Sequence, residues 1–301
     1  MIEKITVTNP KNESLVLTLR NPDEAGLYVQ NIDGLGPPKA NVNSTELATI
    51  DGALFQSSRI TQRNIVITLG MLFSPSIEEA RLRTYKYFPI KKEIKLRIKT
   101  DNRDAECIGY VESNEPVIFS SQQTTQISIL CPDPFFYEIG DEETVFSGIQ
   151  PRFEFPFSNE SLTENLIEFG DIRLDTRAIL QYVGDVDTGV LITIHALGPA
   201  GNVIIYNTNT YERLMINVNR IVSLTGQAFG ESDTIIINTN RGNRYARLLR
   251  EGFYTNIISA IDRNADWFQL SNGDNIFTFT AAGGENDLIV TFLYRNAYGG
   301  I

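Results

Sequence analysis

The sequence predicts a mainly β protein in two domains, the first of which also carries one helix. Three observations predict it. Glu93 to Lys99 alternates strictly, with Ile94, Leu96 and Ile98 on one face and Lys95, Arg97 and Lys99 on the other, which is the period of a half-buried strand. From Phe153 to Ile301 short apolar runs are separated by Gly, Asn and Asp clusters. Turn signals every eight to twelve residues or so indicate a β-sandwich or barrel. Between the halves, Pro132, Pro134, Gly140, Gly148 and Pro151 break regular structure around Asp141-Glu142-Glu143, an acid run expected to be solvated. Charge shifts at the same place. Every lysine precedes residue 100, and the formal charge is about −2 over residues 1–138 and about −9 over 139–301. The expected division is therefore 1–135, a linker over 136–152, and 153–301.

Taken in order, Glu3 to Thr8 alternates with Ile5 and Val7 on one face, and Ser14 to Leu19 with Leu15, Leu17 and Leu19. Pro10-Lys11-Asn12 makes the turn between them, and Asn21-Pro22-Asp23 a second turn before a strand near Leu27 to Ile32. Gly34-Leu35-Gly36-Pro37-Pro38 is a loop, because tandem prolines remove backbone donors. Asp51-Gly52 starts another turn, and Ile65 to Leu69 is a buried strand. The helix opens at Ser74-Pro75-Ser76, where a serine hydroxyl caps an orphan N–H. Glu78 and Glu79 suit the positive end of its dipole, and Pro89 stops it. Ile77, Ala80, Leu82, Tyr85 and Phe88 form its apolar stripe, so Leu82 and Tyr85 are expected against the strands. Asp101 to Asp104 is a turn, followed by strands over Glu106–Glu112 and Gln126–Cys131.

In the second half the apolar runs are Ile179–Val183, Val190–Ala196, Val203–Tyr206, Leu214–Val218, Thr234–Ile237, Trp267–Leu270, Ile276–Phe279 and Leu288–Tyr294. Tyr254 to Ala260 fits either a short strand or one helical turn.

Composition excludes several classes of function. A net charge of −11 argues against sequence-independent nucleic-acid binding, which needs clustered Lys and Arg. No run reaches the ~20 apolar residues of a membrane-spanning helix. Met1 to Ile5 is not a signal peptide, so folding in a cytoplasm is expected. Cys107 and Cys131 are the only cysteines and are expected as buried thiols, since two alone make neither a disulfide framework nor a zinc site. His195, the single histidine, lies in an apolar strand with no nucleophile elbow in the chain, which favours a structural role. Asp185-x-Asp187 offers hard oxygen ligands without the rest of a calcium loop, and Asp262 with Asp266 reads as turn chemistry. Gly198 to Gly201 and Gly283-Gly284 lack a phosphate-binding fingerprint. No catalytic, cofactor-binding or metal residue is assigned, and no enzyme or cofactor is expected.

An ordered set of motifs carries a resemblance. It comprises Arg63-Asn64-Ile65, Ile77-Glu78-Glu79-Ala80-Arg81, Tyr87-Phe88-Pro89, Lys99-Thr100-Asp101, Gly109-Tyr110-Val111-Glu112 and Cys131 to Phe136. In the second half Gly184 to Gly189, Ile237 to Gly242, Leu270 to Asn275 and Tyr298-Gly299-Gly300 belong to it. Together they resemble the distal tail protein of long-tailed bacteriophages or prophages that infect Gram-positive bacteria. The resemblance implies a split-barrel-like α+β ring domain with one helix over 1–135 and a galectin-like β-sandwich over 153–301. It also implies a structural ring of six subunits at the distal end of the tail tube, assembled in the host bacterial cytoplasm and carried in the virion. Its implied partners are the tube protein, a tail-tip protein of the tail-associated lysin type, and receptor-binding components, with DNA passing through unbound. The segment from Gly34 to Asn43 would run along the subunit edge, and Lys95, Arg97 and Lys99 would meet an acidic neighbour or stay solvated. Two rival readings stay open: a carbohydrate-binding module, in which Trp267 would stack on sugar, and a cell-wall hydrolase using paired carboxylates.

Overall fold

The computed structural model describes residues 1–18, 26–48, 51–72, 76–120, 122–145, 147–151, 170–174 and 177–301. The expected turn at Asn21-Pro22-Asp23, Leu19, and the Ser74-Pro75 dipeptide lie outside these residues. The chain divides into two compact units, Met1–Ile139 with Ala297–Ile301, and Gly140–Asn296. The first unit therefore reclaims the last five residues, which sequence reading assigned to the second. The expected linker over 136–152 contains strands of its own.

The strands of the first unit are β1 (Ile2–Thr8), β2 (Ser14–Thr18), β3 (Leu27–Asp33), β4 (Ala40–Glu46), β5 (Ala53–Ile60) and β6 (Arg63–Met71). After helix α1 (Ile77–Tyr87) come β7 (Glu93–Thr100), β8 (Asp104–Val117), β9 (Thr124–Cys131) and β10 (Phe136–Glu138). All but β4 and β5 join an antiparallel sheet in the order β2-β1-β7-β8-β9-β6-β3, with β10 bonded beside β8. The alternation seen in sequence sets which face is buried. Ile5, Val7, Leu15, Leu17, Ile65, Ile67, Leu69, Ile94, Leu96, Ile98, Ile127, Ile129 and Cys131 all enter one core. Cys107 and Cys131 are buried free thiols with sulfurs 3.9 Å apart. The hydrogen bond to the Cys131 sulfur pushes the Cys107 thiol up, and burial adds to it.

Helix α1 starts where a capping serine was expected, with Ser76 Oγ accepting from the Glu79 amide at 3.1 Å. Its rotation differs from expectation. Ala80 and Thr84 are its buried residues and Phe88 follows at 1 % exposure, whereas Leu82 is 53 % and Tyr85 42 % exposed. The buried positions fall at intervals of four along one stripe, opposite Leu82. Thr84 tolerates burial because its hydroxyl donates to Arg81 O at 2.7 Å and accepts from Asn114 at 3.3 Å.

Arg63, which begins β6, is only 3 % exposed and makes several long-range hydrogen bonds. Its Nε donates to Pro134 O at 2.6 Å, its Nη1 to Gly34 O at 2.5 Å and Gly36 O at 2.7 Å, and its Nη2 to Gly299 O. The guanidinium also lies over the Phe136 ring, 4.4 Å from its centroid. Burial pushes its pKa down from the usual arginine value. Gly34 has φ +89° and its missing Cβ would sit 2.1 Å from Asn64 O, so the loop can close on β6 only as glycine. The last strand, β23 (Ala297–Tyr298), pairs with β10. Beside it, Arg103 donates to Gly300 O at 2.6 Å and stacks over Tyr298, and Ile301 N donates to Leu35 O at 3.0 Å.

The second unit contains β11 (Glu142–Val145), β12 (Ser147–Pro151), β13 (Gly170–Leu174), β14 (Ala178–Tyr182), β15 (Leu191–Ala196), β16 (Val203–Asn207) and β17 (Arg213–Ile216). Helix α2 (Val218–Thr225) is followed by β18 (Thr234–Asn238), β19 (Tyr245–Arg250), β20 (Phe253–Asn256), β21 (Gly273–Ala281) and β22 (Leu288–Tyr294). A six-stranded sheet, β11-β22-β15-β18-β19-β20, and a four-stranded sheet, β14-β21-β16-β17, supply the inward faces of one core. That is a sandwich. Its centre includes Phe277, whose ring centroid lies 5.2 Å from that of Phe268 and 4.8 Å from that of Phe292.

Several local expectations are corrected. The acid run at Asp141-Glu142-Glu143 is exposed, as expected, but Glu142 and Glu143 belong to β11 and pair with β22 instead of forming a linker. Leu214–Val218 is a strand only to Ile216; Asn217 then caps α2 and Gly226 ends it at φ +76°. Trp267 to Phe268 is not strand, and Leu270 makes one isolated bridge to Thr188. The ambiguous piece contains both elements, β20 ending at Asn256 and a 3-10 turn over Ile258–Ala260.

Two predictions follow from this packing. Phe88→Ala is expected to destabilise the chain by about 3–5 kcal/mol and Tyr85→Ala by less than about 0.5 kcal/mol in chemical unfolding, although both residues lie on the apolar stripe read from the sequence. Arg63→Ala would leave carbonyls of three chain segments unsatisfied and is expected to cost at least about 3 kcal/mol. Arg63→Lys should recover only part of it, because an ammonium cannot reproduce the planar fork. Unfolding of Arg63→Lys at wild-type denaturant concentration would show the guanidinium geometry to be unimportant.

Candidate assembly surfaces

Sequence reading assigned no strand to the polar segment after Pro38, yet β4 and β5 form a two-stranded antiparallel arm. Among the described residues neither strand pairs with a third. Every residue of both strands is exposed. The arm is rich in Asn, Ser, Thr and Gln, so no apolar alternation announces it, and a bulge between Asn43 and Ser44 shifts its register. Asn43 Nδ2 donates to Ser57 Oγ at 3.1 Å and Gln56 Nε2 to Thr45 Oγ1 at 2.6 Å. Asp51-Gly52 turns as expected, with Gly52 at φ +97°. The base is fixed where Thr61 N and Oγ1 both donate to Lys39 O at 3.3 Å, and where Arg63 holds Gly34 and Gly36. At about 3.4 Å per residue, eight residues of strand project roughly 27 Å. Val42, Leu54, Ile60 and Phe55, the last 66 % exposed, lie on this arm. A lone two-stranded hairpin is marginal in water, and its outer edges present unpaired N–H and C=O groups.

The basic stripe is locally neutralised. Lys95 lies 3.6 Å from Glu106, Lys99 3.2 Å from Glu3, and Arg97 grips Asp104 with two bonds of 2.7 and 2.6 Å. The Arg97 bond holds the Asp104 carboxyl below its usual range. Cross-strand pairing accounts for the stripe without an outside partner.

The residues weighed for chemistry are dispersed over the second unit. His195 Nδ1 meets Thr234 Oγ1 at 2.9 Å on the neighbouring strand. Asp262 Oδ1 accepts from Asn264 N at 2.8 Å, a turn bond, whereas Asp266 Oδ2 accepts from Arg213 N at 3.0 Å, a contact to the start of β17 far away in the chain. Trp267 packs partly buried on the core with Arg244 5.5 Å from its ring centroid, so it is not a free stacking platform. The loops at Gly198–Gly201 and Gly283-Gly284 bond each other, Gly201 N donating to Gly283 O at 2.9 Å. An open cleft at Gln227, Ser232 and Asp233 is lined by Arg250, which bonds Asp233, Gln227 and Ala228 O. Among the described residues no three His, Cys, Asp or Glu converge to hold a metal. No helix among them is long and apolar enough to cross a membrane.

No family model and no curated protein matches this chain. Among solved structures it is similar to the Dit (gp 19.1) protein of phage SPP1, described as a paradigm of the hub adsorption apparatus in phages infecting Gram-positive bacteria. The TM-score is 0.62 at 11 % identity, over 97 % of this chain and 98 % of that one. The activated phage P2 baseplate gives 0.49 at 13 % identity with Ca, over 98 % of both chains, and 0.44 at 12 % with Sr, over 97 % and 98 %. The fold is thus mainly β and similar over nearly its full length to a phage tail hub protein.

Proposed function

We propose that this chain is a structural subunit of a phage tail hub, forming a ring at the distal end of the tail tube. The observation that carries the reading is the likeness to the SPP1 hub protein, which extends over both units. In this reading the first unit builds the ring, and the sandwich serves as a platform for receptor-binding components. The partners are the tube protein on one face and a tail-tip protein on the other, and the role is assembly and conduction of DNA, not turnover. An acidic chain suits such a conduit, because fixed cations would retain phosphates. The β4–β5 arm supports the ring, since edges that no described strand pairs are a template for a strand of another chain. The basic face on β7 contributes little, being paired within its own sheet.

Light scattering of the purified chain at high concentration, alone and with its tail-tip partner, is expected to give the mass of six subunits, and averaged images a closed ring. Replacing residues 40–60 by a short Gly/Ser linker should abolish the ring while leaving thermal unfolding nearly unchanged, because the arm is exposed throughout. A single copy or an open filament in averaged images of the tail tip would refute the reading.

A further inference from the structure

Cys107 and Cys131, the chain's two cysteines, meet in the core of the first unit on the neighbouring strands β8 and β9. They are 24 positions apart in sequence, yet their sulfurs lie 3.9 Å apart. Gly109 makes room for the approach. A Cβ there would sit 2.8 Å from Cys131 Sγ, so that sulfur fills space a side chain of β8 would otherwise take. On its other side Cys131 is the cross-strand partner of Arg63. One sulfur thus stands between a second thiol and a buried guanidinium. The hydrogen bond from Cys107 and the Arg63 charge hold the Cys131 thiol below its usual value, against burial and the Asp133 carboxylate. A single buried thiol is inert. Two in contact differ, because a sulfur oxidised on one strand meets its partner before it meets water.

We infer that Cys107 and Cys131 form a modification site, a thiol pair that a peroxide closes to a disulfide between β8 and β9. The Cys131 thiolate attacks one peroxide oxygen, the O–O bond breaks and hydroxide leaves, giving a sulfenic acid on Cys131. The Cys107 thiol then attacks the Cys131 sulfur, the S–O bond breaks, and the Cys107 proton departs with the hydroxyl as water. The two sulfurs lose two electrons, and the peroxide that takes them ends as two waters. Closure moves the sulfurs about 1.9 Å nearer, from 3.9 Å to the roughly 2.0 Å of a disulfide. A peroxide is little larger than water and reaches the pair by local opening of the sheet. The occasion for closure rests on the tail reading above, in which a virion passes from a reducing cytoplasm to an oxidising exterior. The bond itself does not rest on that reading.

The test treats the reduced full chain with hydrogen peroxide, counts free thiols by alkylation in denaturant and maps linked peptides by mass. Both thiols are expected to disappear, with a Cys107–Cys131 peptide pair two hydrogens lighter that dithiothreitol restores. The oxidised chain should unfold at a higher denaturant concentration than the reduced one. In Cys107→Ala a sulfenic acid should accumulate on Cys131 and be trapped by dimedone. In Cys131→Ala, Cys107 should react at least tenfold more slowly. Two intact thiols after a treatment that oxidises Met1, which is 85 % exposed, would overturn the inference. So would linkage between chains, or sulfinic acid in place of a disulfide. Equal rates in the two single variants would overturn the role of Cys131 as the attacking sulfur. A lower unfolding midpoint after oxidation would show that the native core does not accommodate the bond. None of these outcomes bears on the ring, which is tested by the mass of the assembly.

Discussion

The first unit depends on one buried guanidinium. Arg63 binds carbonyls from the β3–β4 loop, from the segment after β9, and from the chain's last residues, and it covers Phe136 with its flat face. A fork of five fixed N–H donors is the side chain suited to joining several carbonyls at once. A buried charge is costly, and here oriented backbone dipoles compensate it. The clamp also fixes the base of the arm, because the residues it holds at Gly34 and Gly36 lead directly into β4. A second arginine, Arg103, repeats the device on Gly300 and Tyr298, so the terminal pentapeptide is bound as an added strand with its carbonyls captured.

What this core leaves outside it is as informative. The arm buries nothing, the β8–β9 tip exposes three apolar side chains, and α1 turns Leu82 and Tyr85 to solvent. Each is stable in isolation only because a packed sheet carries it. The second unit, by contrast, uses its polar side chains inward. Asn207, Asn238, Thr239 and Asn275 are buried at turns and strand ends, where their side chains close loops.

Much of the sheet was legible in sequence. The alternation of β1, β2, β7 and β9 predicts their buried faces residue by residue, because a half-buried strand must repeat with period two. The bounds of β22 are read directly from its apolar run. Arg63 was legible in principle: it occupies the same phase as Ile65, Ile67 and Leu69, and a charge in core phase signals a satisfied buried group. The motifs at Cys131 to Phe136 and at Tyr298-Gly299-Gly300 lie far apart in sequence; the structure brings both to that guanidinium. The helix was misread because apolar size favoured Leu82 and Tyr85, whereas the sheet beneath accepts only the small Ala80 and the hydrogen-bonded Thr84.

The sequence alone determined the class of fold and the faces of the regular strands, since these follow from local periodicity and turn chemistry. Tertiary structure decided the rest. It set the rotation of α1, made strands of the acidic stretch from Glu142, raised the polar arm at β4 and β5, and returned Ala297–Ile301 to the first unit. Each of those depends on a partner far away in the chain: a neighbouring strand's free edge, a small residue's fit, or a guanidinium more than two hundred residues from the carbonyl it holds. Local pattern carries no record of such partners, because the free energy that selects them belongs to the pair and not to either segment.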